Sequence, residues 1–297
     1  MLSQLVDCEP MDAGDKNFLN QDRRIDFPGG QNRASGNLQK ELLAGTIEAQ
    51  IIPRLMLAHR LTHVHPEQKN YRKNRALSVS EVTEFARLVV HHDVGIAGTY
   101  VDILRKQGIS LESIFMNLLA PAAKHLGELW LLDSCTFVDV TVGLSRIQQL
   151  VHQLSQAFEN EGRCEERCRT ALLAQSPGEQ HGLGVLLVEE FFRREGWNVW
   201  APNRASADEL VRTVADEHFD IAGISVTRGV ALDDLSSVIG AIRRSSINPD
   251  IMVIVGGNYI NNNPDIVERI GADATDSDGS QAPRLLEMRG AQVRRLT

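Results

Sequence analysis

The chain has 297 residues and a formal net charge of −8, with 42% hydrophobic and 24% charged residues. This composition is typical of a globular protein of about two domains, and it excludes a disulfide-stabilised miniprotein, a fibre and a disordered chain. The negative charge disfavours tight binding to nucleic acid or to an anionic membrane. No apolar run reaches the ~20 residues that span a bilayer, and no secretion signal is evident. We therefore expect a cytoplasmic protein with reduced cysteines.

The N-terminal part of the chain is polar and divides into two predicted segments. Residues 1–37 are rich in Asp, Asn, Gln and Gly, and predict a disordered leader. Residues 38–79 combine apolar residues at helical spacing with a basic connector. His59, His63 and His65 in that connector have no accompanying cysteine pair or acid cluster, which favours solvent-exposed side chains over a zinc site.

The next segment is predicted to be helical. Residues 80–158 carry three apolar stripes at steps of three and four, which predict a helical bundle, with a kink or break at Pro121. The charged residues 159–168 predict a linker to the next domain. Cys164 and Cys168 are one helical turn apart, but the surrounding charges favour solvated thiols over a redox pair.

Residues 169–297 alternate short apolar runs with amphipathic helical patterns. The apolar runs are Thr170–Ala174, Trp197–Trp200, Phe219–Val226 and Ile251–Val255. The alternation predicts an α/β domain with a doubly wound, flavodoxin-like parallel sheet. Ligands of such sheets bind beyond the carboxyl ends of the strands, so the loops after the first, third and fourth runs form the candidate site.

These loops hold an unusual set of residues. The set is Glu179, His181 and Gly184 after the first strand, Ser225 and Thr227 after the third, and Gly256 and Gly257 after the fourth. An imidazole beside a carboxylate that can take its other ring proton has the construction of a metal ligand. Paired glycines let a bulky flat group approach the backbone. The first loop matches neither a dinucleotide-binding nor a Walker pattern, which disfavours nucleotide hydrolysis.

The pattern Glu179-x-His181-x-x-Gly184, Ser225-x-Thr227 and Gly256-Gly257 resembles the cobalamin-binding module, with Glu in place of its Asp and Thr in place of its Leu. The resemblance implies that His181 replaces the dimethylbenzimidazole of cobalamin as lower axial cobalt ligand. It also implies that the displaced nucleotide tail lies in a slot past the glycines and Ser225.

The predicted bundle carries a second resemblance. Residues 126–130, Leu-Gly-Glu-Leu-Trp, are similar to the cap of methionine synthases and CarH-type photoreceptors, which implies that Trp130 covers the upper face of the corrin. The Glu-His pair that follows in those photoreceptors is replaced here by Val140 and Thr141. His91, His92 and His125 are candidate upper-face groups, although exposed helix-surface positions are favoured for each.

Further stretches resemble the AerR/PpaA group of cobalamin-binding regulators of photosynthesis genes; they are residues 51–60, 133–141, 177–181 and 271–275. The resemblance covers about residues 40–290. It implies a non-enzymatic antirepressor that contacts a PpsR/CrtJ-type repressor in response to light or oxygen. Because the chain is acidic and lacks a helix-turn-helix signature, we expect no sequence-specific DNA binding by the protein alone. Two alternatives stay open: a corrinoid protein that serves a methyltransferase, and a haem-binding redox sensor with His181 as axial ligand.

Overall fold

A computed structural model describes residues 53–54, 56–57, 76–162, 169–229, 232–275 and 278–284. They belong to one compact unit, Glu48–Thr297. The predicted leader, the three connector histidines, Cys164 and Cys168 lie outside the described residues. No helix within the described ranges is both long and apolar enough to cross a membrane.

The N-terminal half of the described chain is a layer of helices. Their bounds are α1 (Val79–His91), α2 (Val94–Lys106), α3 (Leu111–Ile114), α4 (Ala120–Leu131) and α5 (Phe137–Glu159). Local sequence explains where they begin: Ser78 and Thr136 cap α1 and α5 in capping boxes, and the Asp93 carboxylate accepts the first backbone N–H groups of α2. The predicted helical bundle is confirmed.

The expected break at Pro121 takes the form of a π-helical turn, Phe115–Leu119, between α3 and α4. The backbone N–H of Ala120 donates to the carbonyl of Phe115, five residues earlier. Pro121, which has no N–H to donate, comes just after this π-helical turn, so the missing hydrogen bond lies where the helix changes from π to α pitch.

The C-terminal half is a parallel sheet of five strands. The strands are β1 (Thr170–Gln175), β2 (Asn198–Trp200), β3 (Ile221–Ser225), β4 (Met252–Gly256) and β5 (Ala274–Thr275), in the spatial order β2-β1-β3-β4-β5. Between them lie α6 (Leu183–Arg194), α7 (Ala207–Asp216), α8 (Leu232–Ser245), α9 (Asn258–Asn262) and α10 (Ile266–Arg269). The predicted flavodoxin-like α/β class is confirmed. The two-residue strand β5 is an addition that periodicity could not predict.

Helix α6 is packed on both sides. Leu187 and Phe191 belong to the core of the helical layer, and the Phe191 ring meets Phe158 of α5 edge-on at 5.1 Å. Val185 and Val188 face the other way, into the cluster on the sheet. One helix therefore serves the core of the helical layer and covers the sheet.

Two ionisable side chains, Arg194 and Glu190, are buried where α5 and α6 pack together. The buried guanidinium of Arg194 lies over the rings of Phe158 and Phe191, and its Nη1 donates to Glu112 of α3 at 2.7 Å. Glu190 is completely buried, and neither of its carboxylate oxygens has a hydrogen-bond partner among the described residues. Burial raises the pKa of Glu190. The nearby Ser155 and Arg193 side chains lower it again, but only in part.

The buried Glu190 predicts a pH dependence of stability. Since its pKa is raised in the folded protein, its contribution is fully present at acidic pH and is lost as the pH rises through the raised pKa. We expect Glu190→Gln to raise the free energy of unfolding at pH 8 by about 1–2 kcal/mol, with little change at pH 4. Urea denaturation of both proteins at the two pH values measures this, and an identical pH dependence would contradict it.

Candidate functional site

The carboxyl ends of the three central strands lie side by side. Gln175 of β1 pairs with Ser225 of β3, and Ser225 pairs with Gly256 of β4. The ladder continues beyond the strands, because the N–H of Ser176 donates to Ser225 at 2.8 Å and that of Val226 donates to Gly256 at 2.8 Å. This register brings the three predicted loops to one edge of the sheet, where the strand order reverses between β1 and β3.

The loop after β1 holds His181 in one orientation. Oε1 of Glu179 lies 2.5 Å from His181 Nδ1, and the same oxygen accepts the backbone N–H groups of Gln180 at 2.9 Å and His181 at 3.2 Å. The Glu179 side chain is 5% exposed and that of His181 is 48% exposed. The longer side chain of Glu, compared with the Asp of the cobalamin-binding pattern, thus still reaches the imidazole.

The electrostatics of the pair fix which ring nitrogen is available. Burial alone would raise the pKa of Glu179, but the hydrogen bonds from His181 and Gln180 outweigh burial and lower it. An ionised carboxylate accepts only, so Nδ1 of His181 carries the proton. Nε2 then presents its lone pair on the exposed side of the ring. A carboxylate–histidine arrangement of this kind is the one that proteins use to orient a metal ligand.

A cavity of about 290 Å³ lies between the sheet and α6. Four predicted site residues line it: Gly184, Ser225, Gly256 and Gly257. The other lining residues are Leu173, Ala174, Val185, Val188, Gly223, Ile224, Ile254, Val255, Asn261, Ala274, Thr275, Gly279 and Ala282. None of these side chains is charged, and most are apolar or absent. The cavity fits a flat, largely neutral group.

Two of the glycines have different physical roles. Gly257 has φ +99°, and a Cβ there would lie 2.6 Å from the carbonyl oxygen of Val226, so the backbone itself requires glycine. A Cβ on Gly184 would meet no atom within 4 Å. A side chain at Gly184 would therefore extend into open space beside the cavity without disturbing the fold.

Four predicted residues do not line the cavity: Glu179 and His181 in the loop before it, and Thr227 and Trp130. Thr227 lies two residues beyond the end of β3 and is half-buried. Trp130, at the end of α4, is 42% exposed and meets the Phe137 ring edge-on at 6.2 Å. Leu131, Leu132 and Val138 beside it in the chain are also exposed, so the α4–α5 turn presents a set of large apolar side chains.

The structure adds three residues that the sequence analysis did not single out. Gln175 is buried at the end of β1 and accepts the backbone N–H of Arg204 at 3.0 Å, while a Cβ on Gly182 would lie 2.3 Å from its Nε2. Thr275 lines the cavity from β5. Nη2 of Arg228 lies 3.5 Å from Nε2 of His181. Gln175 could have been found from the sequence, because it is a polar residue at the end of an apolar strand. For Arg228 the sequence offered only its position next to Thr227.

Comparison with known proteins agrees with this geometry. The B12 binding domain family model matches residues 169–283. A curated relative, the "Uncharacterized 20.5 kDa protein in bchF-crtJ intergenic region" of Rhodobacter capsulatus, is 29% identical over 178 residues, 60% of this chain and 92% of its own length. These two matches confirm the resemblance to cobalamin-binding proteins that the sequence showed.

The whole described fold has a counterpart among solved structures. A Methanosarcina barkeri monomethylamine corrinoid protein superposes with a TM-score of 0.58 at 15% identity, covering 70% of this chain and 97% of its own. At that identity the likeness concerns the fold. The comparisons support a cobalamin-type cofactor, and they give no support to haem.

The residues of this site fit a corrinoid. No group of three or more His, Cys, Asp or Glu side chains within the described ranges could hold a metal ion. A single oriented imidazole, His181, would suit a metal whose remaining ligands come mainly from a macrocycle. The uncharged cavity at the strand ends suits an inserted heterocyclic tail. His181 and the residues that line the cavity would hold the group.

Replacing His181 tests the proposed metal ligand. We expect His181→Ala to weaken hydroxocobalamin binding at least about 100-fold, and Glu179→Gln to weaken it about tenfold, because the amide holds the imidazole less firmly. Spectroscopic titration and retention of colour through gel filtration measure both. His218→Ala, which removes an exposed histidine before the amino end of β3, is the matched control and should bind normally. Equal binding by His181→Ala and this control would contradict the assignment.

Filling the cavity tests the slot independently of the metal ligand. We expect Gly184→Ala to lower the affinity for cobalamin and Gly184→Leu to lower it further. The melting temperature should stay the same or rise slightly, since the helix loses a flexible residue. The Gly184 series is preferable to Gly257→Leu, which would also strain the backbone. Full affinity in Gly184→Leu would show that the tail does not enter this cavity.

Proposed function

We propose that this B12-binding protein is a cytoplasmic, cobalamin-dependent regulator that responds to light or redox state by contacting a PpsR/CrtJ-type repressor of photosynthesis genes. The observation that carries the proposal is the Glu179–His181 pair, held on the loop that leads into the cavity. In this proposal the protein binds its cofactor and signals to its partner, and it catalyses no reaction. An alkylcobalamin would supply light sensitivity, because visible light cleaves its cobalt–carbon bond.

The partner in this proposal is suggested by the curated relative. Its name places the Rhodobacter capsulatus gene between bchF and crtJ. A CrtJ-type repressor is also the partner that the sequence resemblance implies. The net charge of −8 suits a protein that acts on a DNA-binding partner more than one that binds DNA directly.

The packing of α6 offers a route from the cofactor site to the helical layer. The first turn of α6 follows His181 directly, and Gly184, Val185 and Val188 line the cavity. On its other side, Leu187 and Phe191 pack into the helical core. A change in what the cavity and His181 hold would therefore act on both sides of the same helix.

A second candidate function, which the sequence analysis left open, is that of a corrinoid protein that serves a methyltransferase. The observation that favours it is the fold likeness to the monomethylamine corrinoid protein. That role would be recognised if the methylcobalamin-loaded protein lost its methyl group in the dark on addition of a corrinoid-dependent methyltransferase. Stability of the loaded protein under those conditions favours the regulator.

The regulator role predicts a light-dependent effect on the repressor. We expect the alkylcobalamin-loaded protein to change the affinity of a purified PpsR/CrtJ-type repressor for its promoter by at least about fivefold between darkness and light. Fluorescence anisotropy of labelled promoter DNA measures it. Cofactor-free protein and His181→Ala should give no light response. A response in either one as large as that of the loaded protein would show that the light signal does not come from the bound cobalamin.

Footprinting of the promoter tests the absence of direct DNA binding. Without the repressor, the protein should give no footprint that distinguishes the promoter from random DNA at physiological salt. A sequence-specific footprint by the protein alone would make it a DNA-binding transcription factor.

A further inference from the structure

We propose that Arg228 binds the phosphodiester of the nucleotide tail and so makes the site selective for complete cobalamins over corrinoids that lack the tail. This inference rests on the proposed cobalamin binding. Arg228 lies three residues after Ser225, at the sheet edge that carries His181, and it is exposed.

The contact between Arg228 and His181 defines the position of the guanidinium. Its Nη2 lies 3.5 Å from His181 Nε2. A guanidinium has donors and no acceptor, so it approaches Nε2 favourably only when that nitrogen presents its lone pair. The Nδ1 proton held by Glu179 produces this tautomer. The Arg228 cation therefore lies beside the nitrogen that would bind cobalt.

One lone pair cannot serve both Arg228 and a metal. When His181 acts as a ligand, the guanidinium must give up Nε2 and find another acceptor. It is a flexible, exposed side chain, so the movement needs no change of the backbone. Arg228 forms no salt bridge among the described residues, so the cation is then available at the edge of the site.

Cobalamin brings a group that matches this cation. The side chains on the corrin ring are neutral amides, whereas the nucleotide loop contains one anionic phosphodiester. The cavity lining holds no charged residue, so an anion inside it would be desolvated without a partner. The phosphodiester is therefore best placed at the rim. Arginine is the side chain best suited to pair with phosphate oxygens there.

The test compares two corrinoids on three variants. Hydroxocobalamin carries the nucleotide loop, and aquahydroxocobinamide, which like it has no cyanide on cobalt, lacks the loop. We expect Arg228→Gln to weaken hydroxocobalamin binding about tenfold or more and to leave cobinamide binding unchanged. Arg228→Lys should restore part of the loss, because the charge remains while the bidentate geometry does not. Arg244→Gln, which removes one exposed charge from α8, is the matched control and should bind both corrinoids normally.

Salt dependence gives a second readout. Raising the salt concentration should weaken hydroxocobalamin binding by the unaltered protein, and this dependence should be smaller in Arg228→Gln. Because Arg228 is exposed, circular dichroism and melting temperature should not change in any of the variants.

The outcomes separate this inference from the proposed function. Absence of hydroxocobalamin binding by the unaltered protein would overturn the proposed function and this inference with it. Normal binding by the unaltered protein together with an unaffected Arg228→Gln would overturn only the role of Arg228. Tighter binding by Arg228→Gln would show that the guanidinium competes with the metal for Nε2. Equal weakening for both corrinoids would assign Arg228 to positioning His181, with no role toward the tail.

Discussion

The two-sided packing of α6 is the constraint on which the rest of the structure depends. A helix that covers a parallel sheet usually leaves one face to solvent, but here Leu187 and Phe191 lie in the core of the helical layer. The sheet side of the same helix carries Val185 and Val188. Any displacement of α6 would open contacts on both sides, and close-packed cores resist such changes. The site at the start of α6 is thereby tied to the helical layer.

The candidate site divides its tasks among different kinds of groups. The buried Glu179 orients His181 and fixes its tautomer, and three hydrogen bonds to one oxygen hold that carboxylate in place. Backbone and small side chains at the strand ends make the cavity. Charge is kept outside it, at Arg228, where water can solvate the guanidinium. Each device would fail alone, because an oriented imidazole without space beside it could not hold a bulky group.

The α4–α5 turn has an unusual composition for a surface segment. Trp130, Leu131, Leu132, Phe137 and Val138 are all largely exposed there. The capping box at Thr136 and the positive φ of Asp133 shape the turn, so the exposure follows from a well-formed local structure. A set of exposed apolar side chains on a rigid turn is suited to covering a flat apolar ligand or a protein partner. The sequence resemblance assigns Trp130 to the first of these.

The amino-acid sequence by itself determined the order of elements, the α/β class and the chemistry of the site loop. Periodicity is local, so helices and strands of ordinary length could be read directly, whereas the two residues of β5 are too few to show a period. Glu179 and His181 are two residues apart, and such a pair could be predicted to meet. The sequence pattern also predicted one shared site for Gly184, Ser225, Gly256 and Gly257. Only the tertiary structure decided that Thr275 and the apolar lining share their cavity, because this depends on strand register. It also decided that α6 joins two cores and that Arg228 reaches His181. These contacts join segments far apart in the chain, and no local pattern encodes them.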